Sequence, residues 1–256
     1  MKYFFIVLFI VVIGYVWFLN HQSPATPTHS NPPTSITPTA TGIAPIAHTV
    51  SYGDESYAYE LIRANPKHVS LIPNYTKKLE FMAMITAAGC KAAISGGFYD
   101  TDFQPLGLIV IDGNIQNNAI TSGLLDGFFT IDSTGKAEIT ALKPETAALA
   151  LQSGPVIMAN GNPIDLSIHN DEHARRMVVA VAPDQTLVFI TVFTSDSVFD
   201  GPLLANLPQI IASIAANESV PTLDAINLDG GTASAFFSPN RALSEIRPVG
   251  SVFCIR

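Results

Sequence analysis

The sequence predicts an α+β fold: a mixed, largely antiparallel sheet with two main packing helices, in a single globular domain. Three features predict it. Apolar or alternating runs of strand length recur from about residue 50 to the C-terminus, several joined by short turn signals such as Asp112-Gly113. Only two segments, "YTKKLEFMAMITAAG" and "PLLANLPQIIASIAAN", carry helical spacing. Successive hairpins point to antiparallel pairing and away from a doubly wound sheet, whose parallel strands need long crossovers.

The chain opens with Lys2 and an unbroken apolar run from Tyr3 to Leu19, within the ~17 to 25 residues of a membrane span. Residues 1–20 read as a signal anchor or a cleaved signal peptide. No small-x-small site follows, no lipobox cysteine is present, and Tyr15, Trp17 and Phe18 suit an interfacial belt, which favours the anchor. After Lys2 the next basic residue is Arg63, so the rest of the chain is expected outside the cytoplasm, periplasmic or at the cell surface. Cleavage of the segment would instead give a secreted protein. Residues 21–48, rich in Pro, Thr, Ser and Ala, lack the apolar surface to fold and read as an extended linker. Residues 49–256 form the globular domain.

Within that domain, "SYAYELIR" and "KHVSLIP" read as strands joined as a hairpin at Asn65-Pro66. A helix follows with Leu79, Met82, Ile85 and Thr86 on one face and Gly89 as its C-cap, then the strand "CKAAISGG". Hairpins are expected at Asp112-Gly113, at Ser133 to Lys136 and around Pro183 to Gln185. The second helix tolerates Pro208 if that residue lies in its first turn. "TLDAINLDGG" then repeats the earlier plan of helix, strand and Gly pair.

The formal net charge is -8 with 13% charged residues, and no basic cluster is present. Nucleic-acid binding is therefore not expected, because it depends on clustered Lys and Arg. Cys90 and Cys254 are either a disulfide, as an oxidising compartment permits, or two small buried apolar side chains. A cysteine zinc site is not expected without a C-x-x-C pair.

Two strand ends carry the candidate chemistry. "NLDGGTAS" places Asp229 before Gly230 and Gly231, with the hydroxyls of Thr232 and Ser234 beyond. Glycines admit close backbone approach, and consecutive N–H groups can cradle an anion, while Asp229 can serve as general acid or base. "ISGGFYD" offers Ser95, Gly96, Gly97 and Phe98, an aromatic suited to a sugar face. Gln152, Ser153 and Gly154 interrupt an apolar run. Arg175 and Arg176 open a strand, and Arg247 precedes the last one; each guanidinium is a candidate phosphate partner. His169, Glu172 and His173 fit H-x-x-E-H, with Glu245 as a later carboxylate, but no apolar helical face surrounds them. A zinc peptidase is the remote alternative.

In this order, "SGGFY", "GLIVIDG", "LQSGPVIMANG" with "RRMVVAVAPDQTLVFITV", and "NLDGGTAS" with "RPVGSVF" resemble the phosphodiester glycosidase family over about Tyr57 to Ile255. The resemblance implies hydrolysis of a sugar C1–O–phosphate bond in an envelope or exopolysaccharide glycan. Asp229 would be the catalytic residue, assisting departure of the phosphate or activating water at the anomeric carbon, with Ser95, Gly96, Gly97, Phe98, Gln152, Ser153, Gly154, Arg175, Arg176, Gly230, Gly231, Thr232, Ser234 and Arg247 around the phosphorylated glycan. Asp100 and Asp112 are candidates for a second acid, Asp112 being already explained by its hairpin. No cofactor is implied, and a divalent metal is left open. The chain departs from the family where Ser95 replaces Asn and Thr232-Ala233 replaces Gly-Ser, which keeps a noncatalytic phosphoglycan-binding domain as the alternative.

Overall fold

The computed structural model describes residues 48–220 and 224–256; the apolar N-terminal run and nearly all of the Pro/Thr/Ser-rich stretch lie outside them. Along the chain come β1 (His48–Tyr52), β2 (Glu55–Ala64), β3 (Val69–Pro73), α1 (Phe81–Ala88) and β4 (Ala92–Ser95). Next are β5 (Ile109–Ile111), β6 (Asn114–Asn117), β7 (Gly127–Ile131), β8 (Ala137–Thr140), β9 (Leu149–Ser153), β10 (Val156–Ala159) and β11 (Asn162–Pro163). The chain ends with β12 (Arg176–Val181), β13 (Leu187–Phe193), α2 (Leu207–Asn217), β14 (Asp224–Leu228), β15 (Phe236–Ser238), β16 (Arg241–Leu243) and β17 (Ser251–Ile255).

The α+β class holds, but the strands divide among three sheets, ordered β1-β2-β13-β12-β14-β10-β11, β16-β15-β4-β17-β3 and β6-β5-β9-β7-β8. Every named ladder among the described residues is antiparallel. A common core, including Ile94, Leu151, Met177, Phe189, Ile226, Phe236 and Phe253, takes residues from all three sheets. A second core lies between the seven-stranded sheet and α2, whose Leu207, Ile210, Ile211 and Ile214 are buried; each such side chain contributes ~1.5 to 3 kcal/mol. A third holds α1 against β4 and β17 through Phe81, Met84, Ile85, Ala93 and Val252.

Three of the four predicted hairpins form. Asp112 and Gly113 both have positive φ, 50° and 76°, as a tight turn between β5 and β6 requires. Pro208 lies in the first turn of α2, where no intrahelical N–H is lost. Gly89, at φ 67°, caps α1.

Two local expectations fail. Asn65-Pro66 is no hairpin: β2 pairs with β1 and β13 while β3 pairs with β17, so consecutive strands enter different sheets. The buried face of α1 is also not the one the spacing indicates, since Leu79 and Met82 are about 40% exposed, at 42% and 40%. The helix starts only at Phe81, whose N–H is taken by Glu245 Oε1 at 2.6 Å, and it packs through Phe81, Met84 and Ile85. Cys90 and Cys254 form a disulfide that ties the end of α1 to β17. Among the described residues no helix is long and apolar enough to cross a membrane.

Candidate functional site

The two glycine-terminated strand ends meet. Beyond β14 the Asp229 N–H donates to Gly96 O at 2.9 Å, which joins the exit of the seven-stranded sheet to the exit of β4. Ser95 fastens the junction: its hydroxyl donates to Asp229 O at 3.3 Å and accepts the Ala235 N–H at 3.3 Å. It is 1% exposed, so this side chain is a strut between strands and not an open sugar contact.

The expected backbone cradles are already filled. Gly96 N–H donates to Ser251 O and Gly97 N–H to Ser251 Oγ, at 2.9 and 2.8 Å. Gly231 N–H donates to Arg175 O at 2.8 Å, and the Gly230 N–H serves the Asp229 carboxyl itself. Anion binding by these amides is therefore not built here. The glycines serve close approach: a Cβ on Gly230 would lie 2.5 Å from Arg175 O, and one on Gly97 2.7 Å from Leu151 Cδ1.

Asp229 keeps some exposed surface as a residue, but burial of its carboxyl raises the pKa from 3.8 to about 8. Desolvation opposes the charged form, and the Gly230 N–H only partly offsets it. The negative charge of Asp229 in turn reaches Tyr75 and Tyr99, whose hydroxyls are held above the usual tyrosine range chiefly by burial. Sequence reasoning notes Tyr99 beside Phe98 in "ISGGFYD" but takes only Phe98 into the site, and it overlooks Tyr75. Tyr99 Oη donates to Pro248 O at 2.9 Å, and its ring lies 4.2 Å from Phe103, over which Lys78 sits. Tyr75 and Tyr99 both pack on the Phe103 ring, and these two tyrosines are the aromatics that feel the Asp229 charge. Gly250 lies between the tyrosines: a Cβ there would fall 2.8 Å from Tyr75 and 2.9 Å from Tyr99. "Tyr-Asp" after "SGGF" was a legible signal for Tyr99; nothing local marks Tyr75 or Gly250.

The arginines separate into three roles. Arg175 is fully buried, donating through Nε to Ser234 Oγ at 2.8 Å and through Nη2 to Ser234 O and Ser244 O, with its guanidinium over Phe199. Burial lowers its pKa to about 10, partly opposed by Glu245. Arg176 clasps the 171–172 and 202 segments through Asp171, Glu172 O and Pro202 O. Arg175 braces the loop after Asp229 and Arg176 ties the 171–172 segment to Pro202; both guanidinium groups are mostly engaged away from solvent, although the buried Arg175 Nη1 has no hydrogen-bond partner. Arg247 is exposed, forms no side-chain hydrogen bond or ion pair among the described residues, and lies within electrostatic reach of Tyr99.

The other candidates are structural. Gln152 uses both ends of its amide on Leu108 N–H, Ile120 N–H, Ile120 O and Leu125 O, holding two loops over β9. Ser153 donates to Asn227 O at 2.6 Å, and Gly154 passes so close to Leu124 that a Cβ would meet its carbonyl oxygen at 2.1 Å. Ser234 donates to Gly231 O, closing the turn after Asp229, while exposed Thr232 accepts the Ile246 and Arg247 N–H groups on its carbonyl. Asp100 accepts the Asp102 and Gln104 N–H groups in a turn, and Asp112 occupies its hairpin; neither carboxylate is among the groups that shift Asp229. His169, Glu172 and His173 lie outside helix, so the one-face arrangement of a zinc peptidase is not formed, and His173 Nδ1 bonds Gly201 O. Among the described residues no cluster of three metal-ligand side chains occurs.

Residues 88–256 match the phosphodiester glycosidase family, and the chain belongs to that family. Its fold is similar to the catalytic domain, auto-inhibited by pro-peptide, of zebrafish N-acetylglucosamine-1-phosphodiester α-N-acetylglucosaminidase, with a TM-score of 0.65 and 17% identity over 82% of this chain and 81% of that one. A hypothetical protein from Synechocystis (TM-score 0.60, 13% identity) matches 82% of this chain, which covers 61% of it. A putative exported protein from Burkholderia pseudomallei has a TM-score of 0.56 at 12% identity, over 78% of this chain and 74% of that one. No curated protein sequence matches the chain.

Proposed function

We propose that this protein is a hydrolase that cleaves the C1–O–P linkage of a sugar-1-phosphodiester in an envelope or exopolysaccharide glycan. Family membership supports the reaction type, and the observation that carries the mechanism is the buried Asp229 carboxyl, raised to about 8 at the strand junction. At neutral pH that group is mainly protonated, so it acts first as an acid. It gives its proton to the departing phosphate oxygen as the C1–O bond breaks and the electron pair leaves with the phosphomonoester. Water adds to C1, and its surplus proton returns Asp229 to the acid form. One carboxyl thus balances the reaction, in keeping with the structural duties of Asp100 and Asp112. Arg247 approaches the phosphate from the exposed rim, and the ring of Tyr99 lies against the sugar. No step requires a cofactor.

We also propose that the domain works outside the cytoplasm, tethered by the apolar N-terminal run or secreted after its cleavage. The Cys90–Cys254 disulfide supports the oxidising compartment. The test is release of sugar and phosphomonoester from a sugar-1-phosphodiester, followed by phosphorus NMR, with wild type and Asp229→Asn. Turnover lost in the variant is expected. Wild-type protein that binds the compound without turnover would leave a binding domain and overturn the enzyme reading.

A further inference from the structure

The proposed reaction needs two segments in register: the turn at residues 230–234 that follows Asp229, and residues 244–247, which end on the exposed Arg247. Arg175 holds both. Its carbonyl accepts the Gly231 N–H at 2.8 Å and its Nε donates to Ser234 Oγ, also at 2.8 Å, while that hydroxyl donates to Gly231 O. Nη2 of the same guanidinium donates to Ser234 O and to Ser244 O, so one planar group bridges the two segments. Within this frame Thr232 O accepts the Ile246 and Arg247 N–H groups at 2.8 and 2.9 Å.

Stability alone does not account for a guanidinium at this position. Arg175 is fully buried, takes part in none of the ion pairs among the described residues, and keeps its Nη1 without a hydrogen-bond partner. Taking a charge out of water and leaving one of its donors unused is costly, and three neutral acceptors with the Phe199 ring offset only part of that. What the guanidinium supplies is a rigid planar fork, and here the fork fixes the spacing between the carbonyls of Ser234 and Ser244. The first carbonyl closes the turn after Asp229, and the second lies three residues before Arg247.

We propose that Arg175 is a positioning residue that holds the Asp229 turn and the Arg247 segment as one unit, so that the acid and the phosphate-binding cation face the same substrate. It touches neither the substrate nor the reacting atoms, and no proton passes through it. This inference rests on the proposed roles of Asp229 and Arg247, but it also governs how the two segments move in the absence of substrate.

The test is Arg175→Lys, which keeps the charge and loses the fork. In the free protein, hydrogen exchange of the Gly231, Ile246 and Arg247 amides is expected to speed up together, while the amides of the β7–β9 ladder keep their wild-type protection. With a sugar-1-phosphodiester as substrate, kcat is expected to fall about ten- to a hundredfold as the acid loses its place, and KM to rise severalfold as the cation does. The KM effect acts through Arg247, so in an Arg247→Gln background Arg175→Lys leaves KM where Arg247→Gln alone puts it and still lowers kcat. A merely structural arginine would reduce the folded fraction, which scales kcat and leaves KM unchanged. The proposal is overturned by unchanged exchange of the three amides, by exchange raised over the whole protein, or by KM effects that simply multiply in the double variant. Ser234→Ala, which removes the acceptor of Nε and leaves the charge, carries the same expectations at smaller size and decides the matter if Arg175→Lys does not fold. If wild type hydrolyses no sugar-1-phosphodiester, the proposed function fails, while the exchange of the three amides still decides whether Arg175 couples the segments.

Discussion

Replacing Asp229 by Asn removes the ionisable group and keeps its shape. Burial lifts the folded carboxyl from 3.8 to about 8, so between about pH 4 and pH 8 the folded protein holds a proton that the unfolded chain has released. The sign follows: stability is fully present below about pH 4 and is lost as the pH rises through the folded value, then levels off. About four pH units at ~1.4 kcal/mol each cap the loss at roughly 6 kcal/mol. Because Asp229 retains some solvent contact, roughly 2 to 4 kcal/mol is the realistic range. Urea unfolding of wild type and Asp229→Asn at about pH 5 and about pH 9 measures it. The variant is expected to gain most of that margin at the higher pH, roughly 5 to 15 °C in melting temperature, while hydrolysing nothing. An equal stability difference at both pH values would refute the ionisation argument, whatever happened to activity.

Gly230→Ala drives a Cβ to within 2.5 Å of the Arg175 carbonyl oxygen, a backbone atom that cannot swing away; a loss of about 2 kcal/mol or more in chemical denaturation and of most hydrolysis is expected. Gln152→Leu leaves the Leu108 and Ile120 N–H groups and the Ile120 and Leu125 carbonyls without the amide they share, so about 3 kcal/mol should be lost in urea unfolding. If Gln152 were a substrate ligand instead, its replacement would raise KM and leave stability unchanged. Reduction of Cys90–Cys254, which are 164 residues apart, removes a chain-entropy contribution of about 5 kcal/mol, measurable as a lower urea midpoint with reductant.

Local chemistry made part of the fold legible. Asp112-Gly113 dictates its turn because positive φ suits those residues, and Pro208 and Gly89 mark a helix start and end through their own backbone limits. Asn65-Pro66 carries an equally clear turn signal, yet β2 pairs with the preceding β1 and with β13, Ala64 facing Leu187, while β3 pairs with β17, Pro73 facing Ser251. A turn signal constrains chain direction and says nothing of which sheet the next strand joins. The buried face of α1 was misjudged for a similar reason: Glu245, far along the chain, fixes where the helix begins.

In the candidate site, Asp229 was readable because an acid before a Gly pair at the end of an apolar run is conspicuous, and that strand end does meet the other Gly pair, at Gly96. The purpose assigned to the glycines was not readable. Whether an N–H faces a ligand or a neighbouring strand depends on Ser251 and Arg175, which arrive from other sheet positions. Tyr75 sits in an ordinary polar connection, "NYTKK", and acquires significance only where its hydroxyl ends up.

The sequence by itself determined most of the strand and turn grammar and the family, and it singled out Asp229 before its Gly pair. Tertiary structure decided the rest: which amides remain free, which arginines are braces, and that Asp229 holds its proton near neutrality. The division is physical. Backbone preference is a property of a residue and its neighbours, whereas ionisation and donor availability depend on burial, and burial here is created by segments that meet only when separate sheets close on one another.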